Sequence, residues 1–383
     1  GIAGIGHYGN TVSDCSVDTV TITATDPNAT TVGLIVGACQ GTASAPSVFE
    51  NNTVDATVAR VDNGDGTFKN VAGIYGTNIN GSIPVTNFEA SINGIPYITL
   101  KAAVKAVEDN GTITLLGNVT ITEATRTHNS GNWYDGIYYV GDKSFTIDFA
   151  GFIVTQDGSV NDYLLNFKND GSKANTITLK NGTIDAGTAA YCAICTSSAS
   201  TQKITINTEN INIVNNISNG STVKIRGEAE FNAKAGTKIT GKNSYLGIEC
   251  VGSTVNIYDG AEIYMNGTSS YNGCLVGVGF GGVVNAYGGY GKGVKGGFIA
   301  MTSGGTINIS GGEWIANNDG TVGNNSNLYV LTAQNNKYES GYVGASVINV
   351  TGGTFRGGMD AWVLNDTTVE KAELNIAGGN FNK

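Results

Sequence analysis

Residues 245–267 read YLGIECVGSTVNIYDGAEIYMNG. Three short runs, YLGIECV, TVNIYD and AEIYM, are separated here by Gly, Ser and Asp. Within each run apolar and polar residues alternate at about every second position, the period of a half-buried strand. The same unit recurs downstream: CLVGVGF precedes VVNAYGG, GFIAMTS precedes TINISGGEWIANN, LYVLTAQ precedes SVINVTGGTFRGG, and AWVLNDT precedes ELNIAGGNFN. Upstream, YLLNF precedes TITLKNGTID and YCAIC precedes KITINTENINI. Aligning the second runs brings Ile177, Ile204, Val255, Val284, Ile307, Ile348 and Leu374 to one position. Their spacing, roughly 20 to 40 residues, is that of solenoid repeats. A single coil of this kind cannot bury its apolar side alone and must stack on the next. The expected fold is all-β, a parallel β-helix.

Composition agrees with that reading. The 383 residues include 56 Gly and only 4 Pro, which suits many tight turns, and charged residues make up 14%, well below the usual quarter. Asn, Thr and Ser supply the polarity, a pattern expected of an extracellular surface. A formal net charge of −10 opposes binding to nucleic acid or anionic lipid, and no Lys/Arg cluster offers a stripe along which phosphates could run. No run of about 18 apolar residues could insert into a membrane, and no signal peptide is present. The chain starts at Gly1 within a β-like pattern and stops at Lys383 just after a repeat run, so both ends read as cuts in a longer polypeptide.

The six Cys pose the question of disulfides. Cys192 and Cys195, three apart on one strand, are expected on opposite faces. Cys250 and Cys274 align with opposite ends of the first run. Cys15 and Cys39 make the most plausible pair, although they too fall in different runs, and the simplest reading is that most of the six are small buried apolar residues. His7 and His128 are the only histidines and no paired C-x-x-C is present, so no metal site and no cofactor is expected.

Two domains are expected. Residues 1–86 carry a looser version of the repeat, with GIAGIGHYGNTVSDCSVDTVTITA, VGLIVGACQGTASAPSVFENNTVDATVARV and NVAGIYGTNI as three rungs. The parallel between NTVSDCSVDTVTI and NTVDATVARV favours a small β-solenoid, with an immunoglobulin-like sandwich as the alternative. The acidic, glycine-bearing loop DNGDGTFKN (62–70) lacks the full ligand set of a Ca²⁺ loop and reads as a turn. Residues 87–383 form the second domain. SIPVTNFEASINGIPYITL reads as a linker leading into an extended segment, and TLKAAVKAVEDNG as the one helix, about residues 99–109. Leu100, Ala103, Val104 and Val107 make its apolar stripe and Asn110-Gly111 its stop. Solenoid ends expose core and unpaired strands, so this helix is read as an N-terminal cap; a partner-binding helix is the alternative.

The passage SINGIPYITLKAAVKAVEDNGTITLLGNVTIT, with its short helix before a strand of the type TITLLGNVTI, resembles the opening of pectin-lyase-like right-handed β-helices in large bacterial surface proteins. The later (V/I)-N-(V/I/A)-x-G-G runs are similar to coils of the same group. The resemblance covers about residues 88–383 and implies a right-handed parallel β-helix in a cell-surface setting. It does not choose an activity, since the group holds polysaccharide-degrading enzymes, adhesins and inert stalks.

Catalytic signals are sparse. The hydrolases of that fold carry clustered aspartates, a His-Gly and a basic clamp; this chain has no Asp-Asp and no His-Gly, and Lys224-Ile225-Arg226 reads as a solvated strand face. Glycoside hydrolysis needs two facing carboxylates. Glu249 with Glu262, or Asp360 with Glu370, fall on adjacent coils without evident convergence.

Binding features are more prominent. Asn256, Asn285, Asn308, Asn349 and Asn375 each lie between two inward aliphatics. At about 4.8 Å per coil they should form an outward amide ladder, structural in the first reading and ligand-facing in the second. Trp314, Phe355 and Phe381 follow Gly-Gly and should stack in the core. The insertions 125–136 (TRTHNSGNWYDG), 266–273 and 317–327 should project from one corner, and 333–346 from another. Loops on rigid scaffolds commonly carry recognition, and 125–136 offers Trp133 and Tyr134 as sugar-stacking platforms beside His128 and Asn132 as hydrogen-bonding groups. A loop folded over the core is the alternative.

The expectation is a non-enzymatic adhesin or carbohydrate/protein-binding module outside the bacterial cell, its partner a host or matrix glycan or protein. The alternatives are a structural stalk or filament subunit assembling end to end, and a polysaccharide-active enzyme.

Overall fold

A computed structural model describes strand backbones within residues 1–87 and most of residues 88–382; residues 123–124, 131–132, 158–162, 189, 219, 268–272, 301–303, 317–328, 336–343, 364–371 and 383 lie outside the described set. Cys15, Asn132, Glu370, the core of the 62–70 loop and most of the 266–273, 317–327 and 333–346 insertions therefore lie outside it. The described chain is an all-β parallel solenoid with one helix. It divides into two compact units, Gly1–Val119 and Thr120–Lys383.

In the first unit successive strands stack in parallel register. Ala3–Gly6 pairs with Val36–Gln40, which pairs with Tyr75–Ile79. Thr11–Ser13 pairs with Val48–Glu50, Ser16–Asp18 with Thr53–Asp55, and Thr21–Ala24 with Val58–Asp62. The backbone thus matches S-V-D to T-V-D (Val17 with Val54, Asp18 with Asp55), one strand later than the N-T-V match suggests.

The segment expected as a linker is a hairpin. Ala90–Ile92 and Ile95–Tyr97 pair antiparallel across Asn93 and Gly94, both at positive φ (51° and 78°), as a two-residue primed turn requires. The helix runs Leu100–Ala106 rather than 99–109. Thr99 caps it, its Oγ1 accepting from the Ala102 N–H at 3.1 Å, and a Glu89 carboxylate oxygen accepts from the Leu100 N–H at 2.7 Å. The helix ends early because Val107 turns extended (ψ 137°), which keeps its side chain fully buried, and Asn110 reverses the chain at φ 62°. Leu100, Ala103, Val104 and Val107 are all buried, as their spacing predicts.

The second unit repeats a coil of three runs. First runs build a ten-stranded sheet, parallel throughout except for its first strand, Thr127–Ser130. Second and third runs stack beside them, merging into single long strands at Asn175–Asp185 and Ile204–Asn215. The inward column of the second run is Phe145, Ile177, Ile206, Phe231, Val255, Val284, Ile307, Ile348 and Leu374. Two corrections follow. Ile206, not Ile204, stands beside Ile177, and a coil through Ala229–Ala233 and Lys238–Gly241, unnoticed in the alignment, supplies Phe231.

Trp314 and Phe355 are fully buried in register, but Phe381, expected with them in the core, is 37% exposed. It stacks on Phe355, with ring centroids 4.9 Å apart. Trp314 instead meets Phe298 edge-on at 4.7 Å and donates its indole N–H to the Gly311 carbonyl at 2.9 Å. Its space comes from the coil beneath: a Cβ on Gly291 would lie 2.6 Å from both the indole and Leu275.

Candidate functional site

The 125–136 insertion is not a simple loop. Thr127–Ser130 runs antiparallel to Trp133–Val140, placing His128 opposite Tyr134 and Ser130 opposite Trp133, with an irregularity between His128 and Ser130. Tyr134 is half-buried, and the Arg126 guanidinium lies 3.8 Å from its ring centroid, a cation–π contact that holds the phenol in place. At the base, buried Asp135 accepts from the Asn166 amide at 2.9 Å. The hairpin thus stands on the first-run sheet with its aromatic pair on one strand, Asn132 falling between the described strands.

The amide ladder is longer than its expected rungs. Asn375 donates to Asn349 at 3.0 Å, and Asn349 to Asn308, Asn308 to Asn285 and Asn285 to Asn256 at 2.9 Å each. The chain continues through Asn232 at 2.8 Å and Asn207 at 2.9 Å. All donors point toward the earlier coil, although consecutive rungs are separated by 23 to 41 residues of sequence. The ladder lies between buried aliphatics, and its neighbours leave Asn256 only 7% exposed. Glu230 accepts from both Asn232 (3.1 Å) and Asn256 (3.3 Å). Lys203, 2.6 Å from Glu230, holds that carboxyl below its ordinary range, with help from the Asn232 amide. Each interior amide spends a donor and an acceptor on its neighbours, which is a coil-to-coil tie.

Chemistry-bearing side chains on the first-run sheet are similarly engaged. Glu249 pairs with Lys224 at 2.9 Å and accepts from the Ser221 hydroxyl at 2.7 Å. Arg226 donates to the Thr196 carbonyl at 3.2 Å and to the Cys195 sulfur at 3.4 Å, and lies over the Tyr163 ring. It is thus partly enclosed rather than on the expected solvated face. Cys192, Cys195, Cys250 and Cys274 are buried free thiols. Burial pushes Cys195 and Cys250 up to about 11, Cys274 up to about 12, and Cys192 upward as well, the last also through its nearness to Cys195. In the sheet register Cys192 stands beside Tyr163, and Cys195 stands between Asn166 and Lys224. Thiols held so high are protonated at neutral pH and poor nucleophiles.

One group gave no signal in the alignment. Tyr258 and Tyr287 occupy the same corner of adjacent coils and are exposed, with Tyr264 and Tyr290 on the strands beyond. Tyr is a good strand former, so in sequence each reads as part of a run. No protein-family model, no curated protein and no solved structure matches this chain.

Proposed function

We propose that this chain is a non-enzymatic, extracellular module of a bacterial surface protein, an adhesin that binds a host or matrix glycan or protein. In this reading it is a pectin-lyase-like β-helix whose coils wind right-handed and whose helix acts as the cap. The observation that carries the proposal is the 127–140 hairpin. It breaks the parallel order of its sheet to set His128 against Tyr134 and Ser130 against Trp133, on a scaffold tied coil to coil. Recognition commonly rests on a few aromatic anchors presented by a rigid frame. The engaged Glu249 and the high thiols support binding over catalysis, because neither suits a general base or a nucleophile at neutral pH.

Glycan and matrix-protein arrays probed with the chain and with a Trp133→Ala/Tyr134→Ala variant test this. The pair of changes should weaken binding by about 2 kcal/mol or more, as for hot-spot truncation, with the β spectrum unchanged. Equal binding by both proteins would move the site elsewhere. No binding by the parent would favour the stalk, which the ladder supports by spending outward amides on coil stacking. Sedimentation then decides whether such a stalk self-associates.

A further inference from the structure

The corner after the second run stacks Lys234, Tyr258, Tyr287, Ser310 and Thr351, each backbone N–H bonded to the coil before it. Tyr258 and Tyr287 stack with ring centroids 5.4 Å apart and planes 28° from parallel. Tyr287 remains 53% exposed. Tyr258 covers one side of its ring, and among the described residues the next coil carries Ser310 at this corner, flanked by Gly311 and Gly312. A hydroxymethyl side chain cannot cover a phenol, so the second face of Tyr287 is open. Three residues along the same coil, Tyr290 lies 5.7 Å from Tyr264, and Lys238 sits 4.7 Å over the Tyr264 ring.

We infer that these tyrosines form a platform for neutral oligosaccharides, centred on the open face of Tyr287. An open phenol ring suits the C–H face of a pyranose, while Ser310 and the tyrosine hydroxyls can pair with sugar hydroxyls. Charges of both signs lie along the runs that carry the rings, Lys234, Lys238 and Lys292 with Asp259, Glu262 and Glu313, so no single sign selects the ligand. The chain's net charge of −10 further disfavours polyanionic glycans. The site takes up the glycan arm of the adhesin reading and lies apart in sequence from the 127–140 hairpin, so either can fail without the other.

The test is an array of neutral glucan, galactan, mannan and xylan fragments beside uronate-bearing and sulfated ones. It is probed with the 383-residue chain and with Tyr287→Ala, Tyr287→Phe, Ser310→Trp and the Trp133→Ala/Tyr134→Ala pair. Binding to a neutral oligosaccharide should fall about tenfold or more in Tyr287→Ala, in line with loss of an aromatic anchor. Tyr287→Phe should keep most of it, and the hairpin pair should keep all of it. Ser310→Trp should also abolish it by covering the ring while leaving Tyr287 in place, which serves should Tyr287→Ala disturb the coil. The inference is overturned if no neutral oligosaccharide binds, if only acidic glycans or proteins bind, or if Tyr287→Ala and Ser310→Trp bind like the parent. Loss in the hairpin pair alone would uphold the adhesin and remove this site.

Discussion

Asn285→Ala probes how much the amide ladder holds the coils together. Asn285 donates to Asn256 and accepts from Asn308, both at 2.9 Å. Losing two such bonds costs about 1 kcal/mol each. The Asn256 oxygen, on a residue 7% exposed, then lacks its donor where water reaches poorly, adding about 1 kcal/mol or more. The total is about 3 kcal/mol. Asn375→Ala is the control: that rung is exposed and gives up one bond to Asn349, which water replaces, at about 0.5 kcal/mol. Because stacked coils open locally, amide exchange read by mass spectrometry over Thr254–Ile257, Gly282–Ala286 and Gly305–Ile309 is more informative than a single melting point. Three kcal/mol corresponds to roughly a hundredfold faster exchange through local opening. A change below about threefold, or equal effects of the two substitutions, would show that apolar stacking alone holds the coils.

Burial and the raised pKa values predict that Cys192, Cys195, Cys250 and Cys274 resist a thiol-specific disulfide reagent at neutral pH and react once the chain is denatured; labelling at these positions in the native protein would contradict it. Gly291→Val puts side-chain atoms where Trp314 and Leu275 already lie and should cost about 1–3 kcal/mol by overpacking, read as a lower denaturant midpoint. Burial raises the Glu89 carboxyl above its ordinary range, against the lowering effect of the Leu100 N–H. The folded form therefore holds its proton to higher pH than the unfolded one, and Glu89 lowers stability as pH rises through that window. Glu89→Gln, which can still accept from Leu100, should flatten this part of the pH–stability profile; an unchanged slope would refute the assignment.

The solenoid was legible because V-N-I and its variants repeat the same inward–polar–inward triplet before a Gly-bearing turn. Where the triplet weakened, so did the reading. The coil AEFNAKAGTKITG offers Phe231 as its only large apolar residue in the second run, and it passed unnoticed, taking the Asn232 rung with it. In ITINTENINI Ile204 and Ile206 lie two apart, so a slip of two keeps every face correct while choosing Ile204 over Ile206. That slip hid Asn207. The hairpins were missed although Asn93-Gly94 and Gly131-Asn132 are both two-residue turn signals, because each was read as part of a longer linker or loop. For the candidate site, the sequence shows which aromatics lie close along the chain, not which rings remain open. Tyr287 is 53% exposed, and the residue that the next coil stacks at its corner is Ser310, 23 residues later, which only the register reveals.

Register also accounts for the low charge. In a parallel stack each outward residue faces its counterpart on the next coil, about 4.8 Å away, so a repeated charge would repel itself along the whole column. A neutral amide that both donates and accepts can repeat indefinitely, and the Asn column does so. Where charged residues of the second unit meet in register among the described residues, their signs alternate: Asp148 with Lys180 and Lys180 with Glu209, Lys224 with Glu249, and Lys238 with Glu262. Of these, Lys224–Glu249 closes to 2.9 Å and Lys180–Asp148 to 3.8 Å. A surface built under this rule has few places for a strong field of one sign. A ligand held by such a surface has to be gripped by rings and hydroxyls instead of net charge, which is why an open tyrosine face is worth more here than another lysine would be.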